Sequence, residues 1–256
     1  MNNNFLVFFL IIGLPFAGSL QVNKSILLKL QPKHRVNEYL IKEISIGSDP
    51  AFGFRQLLEY KVQLNYASKD QNNNLHFNFK QIYIHIRESL RAQGVKIFDT
   101  RKDESQMISN YERAYKPLLK EIGKVYRISL NERGEVVDSW RLPDGTKPTH
   151  GVFDISRFQI KFPRKSLLVG EKWEYETPGV FTSYLKSKAT FWIKKITAKK
   201  IYISYESTLI SDDLMNGTKA YGEYILDKES GEVLYIKIES TLKATGNKEI
   251  LEISKI

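Results

Sequence analysis

The sequence predicts a mainly β protein: a large curved antiparallel sheet or half-barrel with one or two helices, built as one sheet or as two similar halves. Three observations carry this reading. Apolar and polar residues alternate with period two over much of the chain, short Gly-, Asn- and Asp-containing turns join the alternating runs, and helical spacing is clear in one segment alone.

The first clear strand has Leu58, Tyr60, Val62, Leu64 and Tyr66 on one face and Glu59, Lys61, Gln63 and Asn65 on the other. A slip of one residue would turn that apolar face into water. Leu75, Phe77 and Phe79 repeat the pattern, but after Gln81 the frame shifts to Ile82, Ile84 and Ile86. A β-bulge, or a strand covered on both sides, accounts for the shift. Tyr126, Ile128 and Leu130 lead through Asn131-Glu132-Arg133-Gly134 into residues 136–140. Leu185, Ala189, Phe191 and Ile193 face away from Lys186, Lys188 and Lys194, and Ile201, Ile203, Tyr205 and Leu209 follow. Tyr224 and Leu226 precede a turn at residues 227–231. Leu234, Ile236, Ile238 and Leu242 come next, and Gly246-Asn247 turns the chain into residues 250–253.

The helical segment is expected near residues 109–123. Ser109-Asn110 can cap it, Glu112 lies in its first turn, and Tyr111, Tyr115, Leu118, Leu119 and Ile122 share a face. Gly123 is a natural stop, and Pro117 should kink or split the helix. A second, weaker helical or irregular piece is expected between Asp154 and Gln159. Residues 143–148 are rich in turn formers, which sets a linker at 143–158 between an N-terminal β half (20–142) and a C-terminal one (159–256). The segment from Tyr126 to Val136 echoes that from Tyr224 to Val233: each is a strand, a polar turn ending Gly-Glu-Val, and a returning strand. A duplicated β unit or two convergent hairpins would produce this.

The start of the chain stands apart. Residues 5–14 read FLVFFLIIGL, Pro15 breaks the run, and Ala17 and Ser19 have the spacing of a signal peptidase site. A signal peptide over residues 1–19 is therefore expected, although residues 1–4 carry no Lys or Arg. The run is too short to cross a bilayer, which takes about 20 apolar residues. The rest of the chain has no membrane-spanning helix, so the mature protein is expected to be exported, periplasmic or secreted. With no Cys anywhere there is no lipoprotein anchor, disulfide, thiolate metal site or Cys nucleophile. The 256 residues contain 42% apolar residues, too many for a disordered chain and enough for a sizeable core.

The order of elements resembles a family. The leader and first strands are followed by Leu118-Leu119-Lys120-Glu121-Ile122-Gly123, then by the Gly134 turn and the linker. Pro163 and Val169-Gly170-Glu171-Lys172-Trp173 come next, and later the turn Asp227-Lys228-Glu229-Ser230-Gly231. This is similar to an uncharacterised family of exported bacterial β-rich proteins, many of them lipoproteins, classed as a domain of unknown function. The resemblance covers roughly residues 26–256. The chain departs from many members by lacking the lipid-attachment Cys. More remotely, the layout resembles the outer-membrane lipoprotein carriers and receptors, curved sheets that hold acyl chains around internal helices. That comparison is an analogy of layout. The family brings no established catalytic residues.

Motifs with chemistry are scarce. Gly170 suits a tight turn with positive φ, and Trp173 beyond it suits an apolar anchor in the sheet. His34, His76, His85 and His150 have no second His within five residues, which is not the spacing of a zinc site. There is no G-x-S-x-G, no phosphate-binding glycine loop and no dinucleotide fingerprint. No catalytic, cofactor or metal residues are assigned, and no ligand-binding residues. The formal charge of +10 gathers at residues 87–102, 161–172 and 186–200, with Phe162, Tyr184, Phe191 and Trp192 interleaved. For an exported chain this basic face fits anionic lipid headgroups or acidic polysaccharide better than nucleic acid, and a solvated strand face is the default. The 12% aromatic content suits strand packing and could also line a cleft. The expected function is a non-catalytic binding protein of the cell envelope, its partner a hydrophobic ligand or an envelope protein. The alternative is a structural or protein-interaction module, and less favoured is a hydrolase using two carboxylates.

Overall fold

A computed structural model describes residues 25–32, 36–49, 53–91, 93–142, 144, 160–178, 186–210 and 216–256. The leader at 1–19, nearly all of the linker at 143–158, the expected irregular piece at 154–159, His34 and His150 lie outside the described residues.

The chain forms a mainly β structure, one open antiparallel sheet of 12 strands. These are β1 (Val36–Ile46), β2 (Arg55–Lys69), β3 (Leu75–Leu90), β4 (Gly94–Asp99), β5 (Val125–Leu130), β6 (Val136–Arg141), β7 (Lys172–Pro178), β8 (Lys186–Ile196), β9 (Lys200–Ile210), β10 (Lys219–Asp227), β11 (Val233–Thr241) and β12 (Lys248–Lys255). Their spatial order is β6-β5-β3-β2-β1-β12-β11-β10-β9-β8-β7, with β4 paired to β3 beside β5. The last strand thus pairs with the first and joins the two halves. Either side of β12 the order reads as a five-strand meander in the same sense, β6-β5-β3-β2-β1 and β11-β10-β9-β8-β7. In this correspondence the echoed hairpins β5–β6 and β10–β11 fall on equivalent strands.

The period-two pattern sets two faces. Across eight adjacent strands the register aligns Ile193, Ile203, Tyr224, Ile236, Ile253, Ile41, Tyr60 and Ile84 into one row, every member buried. This row is the spine of the inner face. On the outer face the register aligns Glu223, Lys237, Glu252, Lys42, Glu59, His85 and Asp99, alternating in sign wherever the residues are formally charged. Opposite charges facing each other across strands are favourable neighbours, so the charges in this row complement one another.

The frame shift after Gln81 is a bulge: Lys61 faces Tyr83 while Val62 faces Gln81, leaving Ile82 as the extra residue. The helical segment splits as Pro117 dictates. An α-helix, α1, runs over Asn110–Tyr115 and a 3-10 helix over Lys116–Glu121. Ser109 and Glu112 form a reciprocal capping box at the start of α1. Tyr111 and Tyr115 pack edge-to-face, and Tyr115 meets Phe98 of β4 at 5.5 Å between ring centres, which seats the helix on the inner side.

The sheet is strongly curled. The β5–β6 and β10–β11 hairpins stand six strand spacings apart, about 29 Å on a flat sheet. Yet the adjacent residues Leu30 and Gln31 donate backbone hydrogen bonds to Glu132 O and Ser230 O, one in each hairpin turn. Two extended segments cross this end of the curl. Residues 25–32 lead into β1 and residues 160–168 precede β7, and Ile26 and Leu167 bridge them through reciprocal hydrogen bonds of 2.9 and 2.8 Å.

Candidate functional site

The capped end is built from the echoed turns. In the first, Asn131 Oδ1 accepts from the backbone of Arg133 and Glu135; in the second, Asp227 Oδ1 accepts from Glu229 and Ser230. Each turn then receives a crossing segment at its glycine. Gly134 and Gly231 both have positive φ, 77° and 69°, and a Cβ on either would lie 2.4 Å from Ile160 O or 2.2 Å from Lys29 O. Only a residue without a side chain fits the backbone and the close approach together. Each half thus clamps the segment that leads into the other half.

Beneath the crossing segments lies a largely apolar cavity of about 70 Å³, lined by Leu30, Tyr39, Leu64, Phe77, Leu130, Ile160, Phe162, Leu226 and Val233, together with Glu232. Glu232 is buried and accepts hydrogen bonds from Asn37 Nδ2 at 2.9 Å and Lys255 Nζ at 3.2 Å. Burial, with Glu232 nearby, drives the Tyr39 phenol far above its usual value. This polar group ties β1, β12 and the second turn together. The remaining core is aromatic. Trp173 stacks on Phe191, which also stacks on Tyr175 and tilts against Tyr205 and Tyr224. The expected Val-Gly-x-x-Trp anchor is therefore structural: Gly170 turns the chain at φ 85°, and Trp173 Nε1 donates to Lys161 O at 3.1 Å.

The outer face carries a larger hollow, an open groove of about 620 Å³ over β8–β12. Lys194, Lys219, Lys237 and Lys248 line it with Ser204, Tyr221, Glu223, Glu239 and Thr241. Glu239 is shared by Lys237 at 3.1 Å and Lys248 at 2.7 Å, and these two bonds hold its carboxyl below the usual range. Lys219 reaches Glu206 at 3.8 Å. Tyr221 is 51% exposed. Elsewhere in the basic cluster expected at 186–200, Lys186 and Lys188 reach across to Glu176 and Glu174.

Two polar clusters lie on the outer face of the N-terminal half. His76 Nδ1 lies 2.7 Å from Ser129 Oγ, and its Nε2 lies 3.4 Å from Asp70 Oδ2. Sequence spacing gave no sign of this, because the hydroxyl comes from β5, 53 residues away. The three residue types are those of a hydrolytic triad, but Ser129 is only 8% exposed and sits mid-strand between β3 and β6. A nucleophile must reach its substrate and face donors for the developing oxyanion. The cluster braces the β2–β3 turn against β5, with Asp70 held by Asn72 and Asn74.

The second cluster centres on Asp99. His85 Nδ1 lies 3.2 Å from it, Arg101 clasps it with bonds of 2.8 and 2.6 Å, and the guanidinium covers the Tyr83 ring at 4.4 Å. Burial pushes the Asp99 carboxyl up, but Arg101 and His85 outweigh it and hold the group at about 2. Tyr83 donates to Glu59 and, by burial and that bond, is pushed up to about 12.

On the inner face, Glu249 accepts from Ser45 Oγ at 2.5 Å and is raised by burial, with Glu43 on the adjoining strand adding to the effect. Neither the inner cavity nor the outer groove is lined by this carboxylate pair. Among the described residues no three His, Asp or Glu side chains gather as metal ligands, and no helix is long and apolar enough to cross a membrane. No family model matches the chain, and no curated protein matches it.

Proposed function

We propose that this chain is an exported, non-catalytic binding module of the cell envelope that meets its partners through the outer face of its curled sheet. The observation that carries the proposal is the contrast between the two hollows. The inner cavity, about 70 Å³, is well below the roughly 300 Å³ at which small-molecule pockets begin, whereas the outer groove, about 620 Å³, falls within their range. Self-packing of Trp173, Phe191, Tyr205 and Tyr224 also supports an interior that serves as core. The hydrophobic leader supports export.

The test has two parts. Expressed with its leader in a bacterium, the protein is expected outside the cytoplasm, and the purified chain is expected to co-sediment with isolated envelope material. In native mass spectrometry it should carry no lipid. Cytoplasmic retention of the intact leader, or failure to co-sediment, would overturn the proposal.

The hydrophobic-ligand reading has one specific observation in its favour: the inner cavity is largely apolar and roofed by two segments held mainly through backbone hydrogen bonds. Recovery of a stoichiometric lipid, or uptake of a fluorescent fatty acid that displaces residues 25–32, would favour it over the outer-face reading. Turnover of a glycoside lost in Glu249→Gln would favour the two-carboxylate hydrolase instead.

A further inference from the structure

We propose that the groove over β8–β12 binds an acidic oligosaccharide, its carboxylates held by Lys194 and Lys219 and one sugar ring stacked on Tyr221. This rests on the outer-face reading above and gives that face a ligand.

The charges in the groove differ in how far they are already satisfied. Lys237 and Lys248 are both drawn to Glu239. Lys219 has only a long contact to Glu206, which lies outside the groove lining. Lys194, in the bulge where β8 passes from Ile193 to Lys195, is exposed and has no carboxylate within ion-pair distance among the described residues. Two cations are thus available to a ligand, one on β8 and one on β10. Tyr221, two residues from Lys219 on β10, stands half-exposed in the same groove, where burial of its ring against a sugar face would replace water.

The acids in the same groove narrow the ligand class. Glu223 and Glu239 would repel a chain with a negative charge on every unit at phosphate spacing. The same carboxylates, with Ser204 and Thr241, are good partners for hydroxyl groups. A ligand with few charges and many hydroxyls satisfies both sets, and an oligosaccharide in which uronic acids alternate with neutral sugars is such a ligand. The groove is open, which suits an extended chain, and its ion pairs are exposed, so binding should weaken as salt rises.

The experiment is calorimetric titration of the full mature chain with a hyaluronan tetrasaccharide, in which uronic acids alternate with neutral sugars, neutral maltotetraose and a thymidine dodecamer. Expected is binding of the acidic sugar at least tenfold tighter than the neutral one, weakening with salt. Lys194→Gln with Lys219→Gln, and separately Tyr221→Ala, should each lower affinity about tenfold or more at unchanged thermal stability. Lys186→Gln with Lys188→Gln, on the same face beyond the groove, should leave affinity intact. Equal affinity for the neutral sugar, equal loss in the control variant, tighter binding of the dodecamer or no binding of the acidic sugar would each overturn the proposal. If the acidic sugar fails but the chain still co-sediments with envelope material, the ligand assignment falls and the outer-face reading stands. If co-sedimentation fails too, both fall.

Discussion

Leu30 and Gln31 are neighbours in sequence, yet their backbone N–H groups serve different halves of the sheet: Leu30 donates to Glu132 O at 2.7 Å and Gln31 to Ser230 O at 2.6 Å. One dipeptide therefore joins two hairpins that the order of strands sets far apart. The curl depends on what crosses its end, and the glycines that admit those crossings are its weak points.

Gly134→Ala and Gly231→Ala should each destabilise the protein by about 2–4 kcal/mol, combining the positive-φ penalty with a Cβ thrust at a backbone carbonyl. Gly94→Ala has a similar φ, 74°, but open space around its Cβ, so it isolates the backbone cost, about 1 kcal/mol. Denaturant unfolding of the three variants measures the difference. Hydrogen exchange should show the amides of Leu30, Gln31 and Phe162 losing protection in the first two alone.

Trp173→Ala should cost about 3–5 kcal/mol, because it removes a buried ring stacked on Phe191. Trp173→Phe keeps most of the stack and loses the bond to Lys161 O, so a smaller cost, about 1–2 kcal/mol, is expected. Equal losses in thermal unfolding would show that the hydrogen bond and not the ring anchors this strand.

Asp99 governs part of the acid stability. Its carboxyl is held at about 2, below its unfolded value near 4, so its contribution is present above about pH 4 and is lost as pH falls through 2. Urea unfolding between pH 5 and 2 should show a flatter dependence in Asp99→Asn than in the parent. A parallel shift of the two curves would remove Asp99 from the account.

At alkaline pH the buried phenols act in the opposite sense. Burial pushes Tyr205 up to about 12 against the opposing bond with Ser207, and Tyr224 rises well above its usual value by burial among Tyr205 and Tyr175. Groups with raised values contribute stability below about pH 10 and lose it as the pH climbs through 10 to 12. Ultraviolet titration should therefore show a set of tyrosines that ionises only when the fold opens. Tyr205→Phe should shift that opening to higher pH.

The legible parts of the fold were those written in local pattern. Alternation along Leu58–Tyr66 and Ile201–Leu209 marks strands with one dry face, the frame shift at Gln81 marks the bulge, and Pro117 marks the split of the helix. β1 escaped because it is central: Tyr39 and Ile41 face the core while Leu40, Ile44 and Ile46 face outward, which blurs the period. β4 escaped because it is short, with Val95 and Ile97 exposed and Phe98 alone buried as a large apolar residue. The outer groove has only a faint trace, the parity of Lys and Glu along β9–β12. The Ser129–His76–Asp70 contacts have none, since strand pairing makes them.

By itself the sequence determined which side chains along each strand share a face, where strands end in turns, and that no Cys chemistry is available, because these follow from the two-residue repeat and from composition. The tertiary structure alone decided that β12 returns to β1, that the echoed turns clamp each other's leading segments, and that four lysines from different strands share one hollow. Register and curl are long-range: they are fixed by backbone bonds between residues as distant as Tyr39 and Lys255, and no local window of residues contains both partners.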